Sequence, residues 1–182
     1  MKFAALPSFA AVALVASVAA GQAITFITPL QPTAGTRAYG ISSNGSVVAG
    51  HSSFGPAFRF SSSGGRQDLI EGGISFSRGY AISGDGSTVV GEGTGGAYVW
   101  RGPGNYQLIG HQAGYSDGAA EGVSGDGSVV VGRSYIPDNA EPSQAFRWTA
   151  STGLQPLGFT RSGHYHSEAT AISRNGNTIV GI

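Results

Sequence analysis

Gly40-Ile41-Ser42-Ser43-Asn44-Gly45-Ser46-Val47-Val48-Ala49-Gly50 returns with few changes as Ala81 to Gly91, Gly122 to Gly132 and Ala171 to Gly181. The Asn/Asp-Gly pairs begin at 44, 85, 126 and 175, which gives spacings of 41, 41 and 49 residues. A recurring period of that size is the mark of one supersecondary unit repeated as an array. Read outward from the second copy, Tyr80 to Ser83 forms a short strand, Gly84-Asp85-Gly86 a tight turn and Thr88 to Gly91 the returning strand, a hairpin favoured by its β-branched residues. Ala97-Tyr98-Val99-Trp100 and Tyr106 to Ile109 then supply two more strands, joined through Gly102-Pro103-Gly104-Asn105. The first unit repeats this with Ala57 to Phe60 and Gln67 to Ile70, and the third with Ala145 to Trp148 and Leu154 to Leu157. Four short antiparallel strands per period match one propeller blade. The expected fold is all-β, built of repeated four-stranded antiparallel sheets in a β-propeller-like, partial or open array.

The Asx-Gly pairs admit a sharper reading, because Asp85 and Asp126 lie in Gly-rich loops and carry carboxylates that calcium could use. Two of the four sites hold Asn44 and Asn175, and no second carboxylate stands two residues away. Asx-Gly is the common two-residue hairpin turn for backbone reasons alone, so the turn reading wins. Asn44-Gly45-Ser46 also spells a glycosylation sequon, relevant only to a eukaryotic secretory route. In the third strands Phe58 and Phe60, Tyr98 and Trp100, and Phe146 and Trp148 are spaced by two and share a face, while Arg59, Val99 and Arg147 point the other way. Aromatic pairs can bind sugars, but recurrence in every unit is what packing between adjacent sheets requires.

Composition narrows the class. In 182 residues only 11% are charged while 31 are glycine, which suits short strands and tight turns rather than a helical bundle. Ten basic residues balance ten acidic ones, so no basic stripe exists to neutralise phosphates and a nucleic-acid partner is not expected. Residues 1–23 read as a signal peptide: Lys2, an apolar run from Phe3 to Ala20, then small residues at Gly21-Gln22-Ala23. The run is at the short end for a bilayer span and dominated by alanine, so the mature chain is expected to be secreted or at the cell surface, without a membrane span. The absence of cysteine removes disulfides and thiol chemistry and leaves stability to stacked cores. Residues 24–37 are an N-terminal strand and linker, and the array runs over 38–182, in units of about 38–78, 79–118, 119–168 and a partial 169–182. Because the fourth unit stops in its second strand, a fragment or an open, partly curled array is expected, with Ile24 to Leu30 able to supply one missing strand.

The pattern Ala-x-x-Val-Ser-x-Asp-Gly-Ser-x-Val-Val-Gly followed by Ala-Phe-Arg-Trp, Gly and Leu-Gly resembles the bacterial extracellular HAF-type repeat family. Its best copy runs from Ala120 to Gly132, then Ala145 to Trp148, Gly153 and Leu157-Gly158. The resemblance covers the chain from about Ala38 to Ile182. It implies an exported or surface protein, in some relatives carrying a PEP-CTERM tail or an autotransporter barrel, and it carries no catalytic residues to transfer.

Up-and-down units place the turns after strands one and three at one end and the more variable loops at the other, where specificity is normally placed. That second end holds the loop Arg133 to Gln144 with Tyr135, Asp138 and Glu141, together with the starts of successive units at Arg37, Arg78 and Asp117 and the segment Gly163 to Glu168. If extended, that segment turns His164, His166 and Glu168 the same way, a spacing compatible with a metal, although nothing equivalent recurs in the other units. Candidate binding residues are therefore Tyr135, Asp138, Glu141, Asp117, His164, His166 and Glu168, with no catalytic residue, cofactor or metal assigned. The leading expectation is a binding scaffold for a protein or glycan. The alternatives are a glycan-acting enzyme using two of Asp117, Asp138, Glu141, Glu168, His164 and His166, which needs carboxylates about 5–10 Å apart, or a structural envelope component. No Gly-x-Ser-x-Gly elbow or phosphate-cradling loop stands between a strand and a helix.

Overall fold

A computed structural model describes residues 35–53, 55–69, 77–137 and 142–182. The signal segment, the Ile24–Leu30 strand and the loop residues Asp138 and Glu141 lie outside the described residues.

The strands run in the order of the repeats. The first sheet contains β1 Thr36–Ile41, β2 Val47–Ser52, β3 Ala57–Ser61 and β4 Gly65–Asp68. The second contains β5 Ser77–Ile82, β6 Val89–Gly93, β7 Gly96–Trp100 and β8 Tyr106–Gly110. The third contains β9 Asp117–Val123, β10 Val129–Tyr135, β11 Ser143–Thr149 and β12 Gly153–Gly158. A pair, β13 Ala169–Ile172 and β14 Ile179–Gly181, follows. Every sheet is an antiparallel meander in sequence order, and no helix occurs among the described residues. The first strands β1, β5, β9 and β13 neighbour one another, so the sheets fan out from them and leave β4, β8 and β12 at the far edges.

The core lies between sheets, as the aromatic spacing requires. Tyr98 and Trp100 of the second sheet pack against Val47, Ala49 and Ala57 of the first, while Val90, Ala97 and Val99 on the opposite face meet Ala120, Phe146 and Trp148 of the third. Val131 and Ala145 continue the pattern onto Ala169 of the last pair. The second and third sheets thus pack both faces, which replaces the missing disulfides with stacked apolar area.

Two details depart from the sequence reading. The fourth strand of the first unit is Gly65–Asp68 rather than Gln67 to Ile70, because β3 pairs Ser61 with Gly65 through a shorter turn. The Asx-Gly turn is also not a two-residue hairpin. Five residues, Ser42 to Ser46, separate β1 from β2, and Gly45 takes the left-handed conformation at φ 72°. Its amide donates to the Ser42 carbonyl at 2.9 Å. The Asx side chain closes the loop instead: Asn44 Oδ1 accepts from Ser42 Oγ at 2.8 Å, from the Ser46 amide at 3.0 Å and from Ser46 Oγ at 2.7 Å. Asp126 repeats these bonds with Ser124 and Ser128. The repeated serines flanking Asx are therefore the donors that the loop needs.

Because the acceptor role requires one oxygen, Asn and Asp are interchangeable there. The Ser124 hydroxyl first, and then the Ser128 amide and hydroxyl, hold the Asp126 carboxyl down at about 2. A depressed carboxyl contributes stability above its unfolded range and loses it as pH falls through the folded value. Asp126→Asn is expected to leave the urea midpoint at pH 7 almost unchanged and to flatten its decline below pH ~4. Asp126→Ala, which removes the acceptor, lowers the midpoint at both pH values.

Candidate functional site

The site begins with a bulge that recurs in every unit. Along β1 and β2, Ala38 pairs with Gly50 and Gly40 with Ala49, leaving Tyr39 extra; Tyr80, Glu121 and Thr170 are the extra residues in the other three copies. A bulge re-aims the side chain it carries. Tyr80 and Ile82 are two residues apart, yet Ile82 joins the core with Val47 and Val89 while Tyr80 lines a surface pocket with Arg78. The second strand supplies the partner: the Tyr39 ring stacks on His51 at 4.9 Å, Tyr80 Oη donates to Glu92 Oε2 at 3.0 Å, and Arg133 Nη1 lies 3.3 Å from Glu121 Oε1.

These pairs form a polar strip along the first strands. At one end Arg37, Tyr39, His51, Ser53, Arg78 and Tyr80 surround a cavity of about 310 Å³ between the first two sheets. Tyr80 stands edge-on to both Tyr39 and His51, with centroids 5.9 and 6.0 Å away. Burial first, helped by the charges of Arg78 and Arg37 and opposed by a hydrogen bond to the Gly79 backbone, lowers the His51 pKa and favours the neutral ring. Burial and the neighbouring Glu92 carboxylate push the Tyr80 hydroxyl up to about 12. Arg78 binds Glu92 Oε1 at 3.2 Å and so joins the cavity to the middle of the strip.

At the other end Arg133 pairs with both Glu121 and Glu168, and its guanidinium covers the Tyr135 ring at 5.5 Å. Burial, then a hydrogen bond with Glu168, push the Glu121 carboxyl up to about 8 despite Arg133. Burial works against the Glu168 charge too, but the bonds from Glu121 and Arg133 outweigh it and lower its pKa. Of the two carboxyls, Glu121 therefore holds its proton to higher pH and Glu168 ionises first. A carboxyl raised in the fold gives stability that is fully present below its unfolded range and lost as pH rises through the folded value. The wild type is therefore expected to lose stability between pH ~5 and ~9 from this group. Glu121→Gln, neutral throughout, is expected to flatten that slope in urea titrations.

Of the residues singled out by sequence, four reach or border this strip. Tyr135 pairs across the ladder with Asp117, whose Oδ1 accepts from the Gly118 amide at 2.8 Å. His166 Nδ1 lies 2.6 Å from Ser143 Oγ, and its Nε2 is 4.0 Å from Glu168. His164 is exposed, just past the turn at 162–163. Among the described residues no three His, Cys, Asp or Glu side chains gather as metal ligands. Arg37, Arg78 and Asp117, read as loop residues, lie on first strands that begin two residues earlier than the unit boundaries. Sequence reasoning missed Tyr39, His51, Tyr80, Glu92, Glu121 and Arg133. The signal was present: flanking an otherwise repeated phrase, the residue before it reads Tyr, Tyr, Glu, Thr, and the residue after it reads His, Glu, Arg, Ile.

No family model matches the chain and no curated protein matches it. A solved structure does: a proposed TolB from Agrobacterium tumefaciens superposes with a TM-score of 0.51 over 81% of this chain at 16% identity. The chain spans 58% of that structure's length. The fold is β-propeller-like. Its four-stranded sheets are blades, and the described blades form an open fan rather than a closed ring. The polar strip follows the innermost strands of the blades, on the side a propeller turns toward its axis. No helix among the described residues is long and apolar enough to cross a membrane.

Proposed function

We propose that this chain is an exported repeat protein of the HAF kind that acts as a binding scaffold, with its ligand seated on the innermost strands of the blades. One observation carries the reading: the turns, bulges and core repeat from blade to blade, while the pair made by the bulge residue and its second-strand partner differs each time, Tyr with His, Tyr with Glu and Glu with Arg. Fixed framework with variable inward side chains is the arrangement of a recognition surface. The apolar run of residues 1–23 and the repeat resemblance support export.

The glycan-acting alternative gains a carboxyl pair, Glu121 and Glu168, in opposite protonation states. Both carboxylates engage the same Nη1 of Arg133, so a guanidinium fills the place that a sugar ring would need between carboxyls about 5 Å or more apart. Binding without turnover is the better fit.

The test is retention on an array of bacterial and plant polysaccharides. The double variant Tyr39→Ala with Tyr135→Ala is expected to lose at least tenfold in affinity, whereas Leu108→Ala, on an outer strand and 48% exposed, keeps it. Retention insensitive to the inner pair overturns the placement of the ligand, and release of new reducing ends from any polysaccharide favours the enzymatic reading.

A further inference from the structure

We propose that the cavity between the first two blades is a subsite for one carboxylate-bearing sugar, a uronic acid unit of an acidic polysaccharide. The inference rests on the binding role above and specifies its ligand class.

Three features of the cavity point to that chemistry. Its cation is available: Arg37 is exposed and has no carboxylate partner among the described residues, whereas Arg66, Arg78 and Arg133 all do. A guanidinium favours a planar carboxylate that accepts two hydrogen bonds at once. Beside it stands an aromatic plate. The Tyr39 ring is 48% exposed and lies nearly parallel to His51, at 14°, so its outer face is rigidly backed and open to an occupant. Flat apolar plates of this kind accept the C–H face of a pyranose ring.

The third feature is an incomplete hydrogen-bond set in the cavity wall. His51 is 7% exposed, and its Nδ1 is buried without a partner. Such an atom costs about 1–3 kcal/mol while unpaired, and groups of this kind mark places where something is missing. A sugar hydroxyl entering the cavity beside the Tyr39 plate completes it. The cavity of about 310 Å³ stands at the small end of ligand clefts, a fit for a single ring with its neighbours in the chain running out along the strip. An acidic peptide would use Arg37 but leave the plate and the imidazole unsatisfied.

Calorimetric titration of the purified chain decides the matter, with tetragalacturonate, its methyl ester and tetraglutamate as probes. The expected result is binding of the tetragalacturonate, at least tenfold weaker binding of the ester, and a loss of about tenfold on either Arg37→Ala or Tyr39→Ala, equal to about 1.4 kcal/mol each. Both residues are exposed, so neither substitution threatens folding, and unchanged circular dichroism verifies this. Equal binding of acid and ester removes the carboxylate from the recognition. Equal binding of tetraglutamate with the same Arg37 dependence makes the site a general carboxylate receptor and overturns the sugar assignment. Absence of binding at millimolar tetragalacturonate overturns the proposal too. If the array still yields a polysaccharide whose retention depends on Tyr135 or Tyr39, the scaffold reading survives that failure; if neither experiment yields an inner-face dependence, both fall.

Discussion

Gly91→Ala is expected to abolish the native fold of the second blade and to cost at least about 3 kcal/mol. A Cβ built on Gly91 would stand 1.8 Å from the Arg78 carbonyl oxygen. That oxygen is pushed toward Gly91 by the bulge at Tyr80 and is held there by the Tyr98 hydroxyl, which donates to it at 3.1 Å. The obstacle is backbone of β5, and Gly91 itself sits on β6, which is paired on both sides, so no side-chain rotation relieves the clash. Gly50, Gly132 and Gly181 meet the corresponding carbonyls of Arg37, Ala119 and Glu168 in the same way, which explains why the repeated phrase ends in glycine in all four copies. Gly55→Ala is the control, since a Cβ there meets only the Ser52 side chain at 3.4 Å. Urea denaturation followed by circular dichroism should show a midpoint near that of wild type for Gly55→Ala and a collapsed or absent transition for Gly91→Ala. Comparable midpoints for the two variants would mean that the bulge relaxes and is not a requirement of the fold.

Trp100→Ala should produce the second large loss, about 3–5 kcal/mol, the usual range for deleting a buried indole. Trp100 is 1% exposed and fills the space between the first two blades with Val47, Leu69, Ile82 and Val89. Its truncation therefore loosens a junction rather than one sheet, and the cavity between Arg37 and Arg78 loses its spacing with it. Trp100→Phe separates packing from polarity. The Nε1–H is buried without a partner among the described residues, so replacing the indole by a phenyl ring removes an unpaired donor along with some volume. Its expected cost is less than half that of the alanine variant. An equal cost for the two would show that the indole's shape, not buried area, determines the junction.

The four-stranded unit, its meander order and its aromatic core were legible because each depends on local patterns: turn residues at a fixed period, β-branched runs, and aromatic residues two apart. The polar strip was not, and the reason is the bulge. Alternation along a strand assigns Tyr80 and Ile82 to one face, and one extra residue reverses that assignment without any special composition at the bulge itself. The Gly at the end of the phrase was the visible half of the device, but its partner is a carbonyl on another strand, which no one-dimensional pattern reveals. Glu121 and Glu168 stand 47 positions apart in sequence and meet because the innermost strands of consecutive blades are neighbours. His164 is exposed while His166, two residues on, is tied to Ser143 and Glu168.

The Asx-Gly loops do one thing more than reverse the chain. The Ser43 amide donates to the Gly84 carbonyl at 2.8 Å, the Asp85 amide to the Gly125 carbonyl at 3.2 Å, and the Gly125 amide to the Arg174 carbonyl at 2.8 Å. Each loop thus holds out a donor to the next copy and an acceptor to the previous one, so a duplicated unit arrives with its own fastening already encoded. Lengthening such a gene by one period needs no new adhesive, and the inward side chains of the added copy start life free to drift toward whatever they are selected to hold.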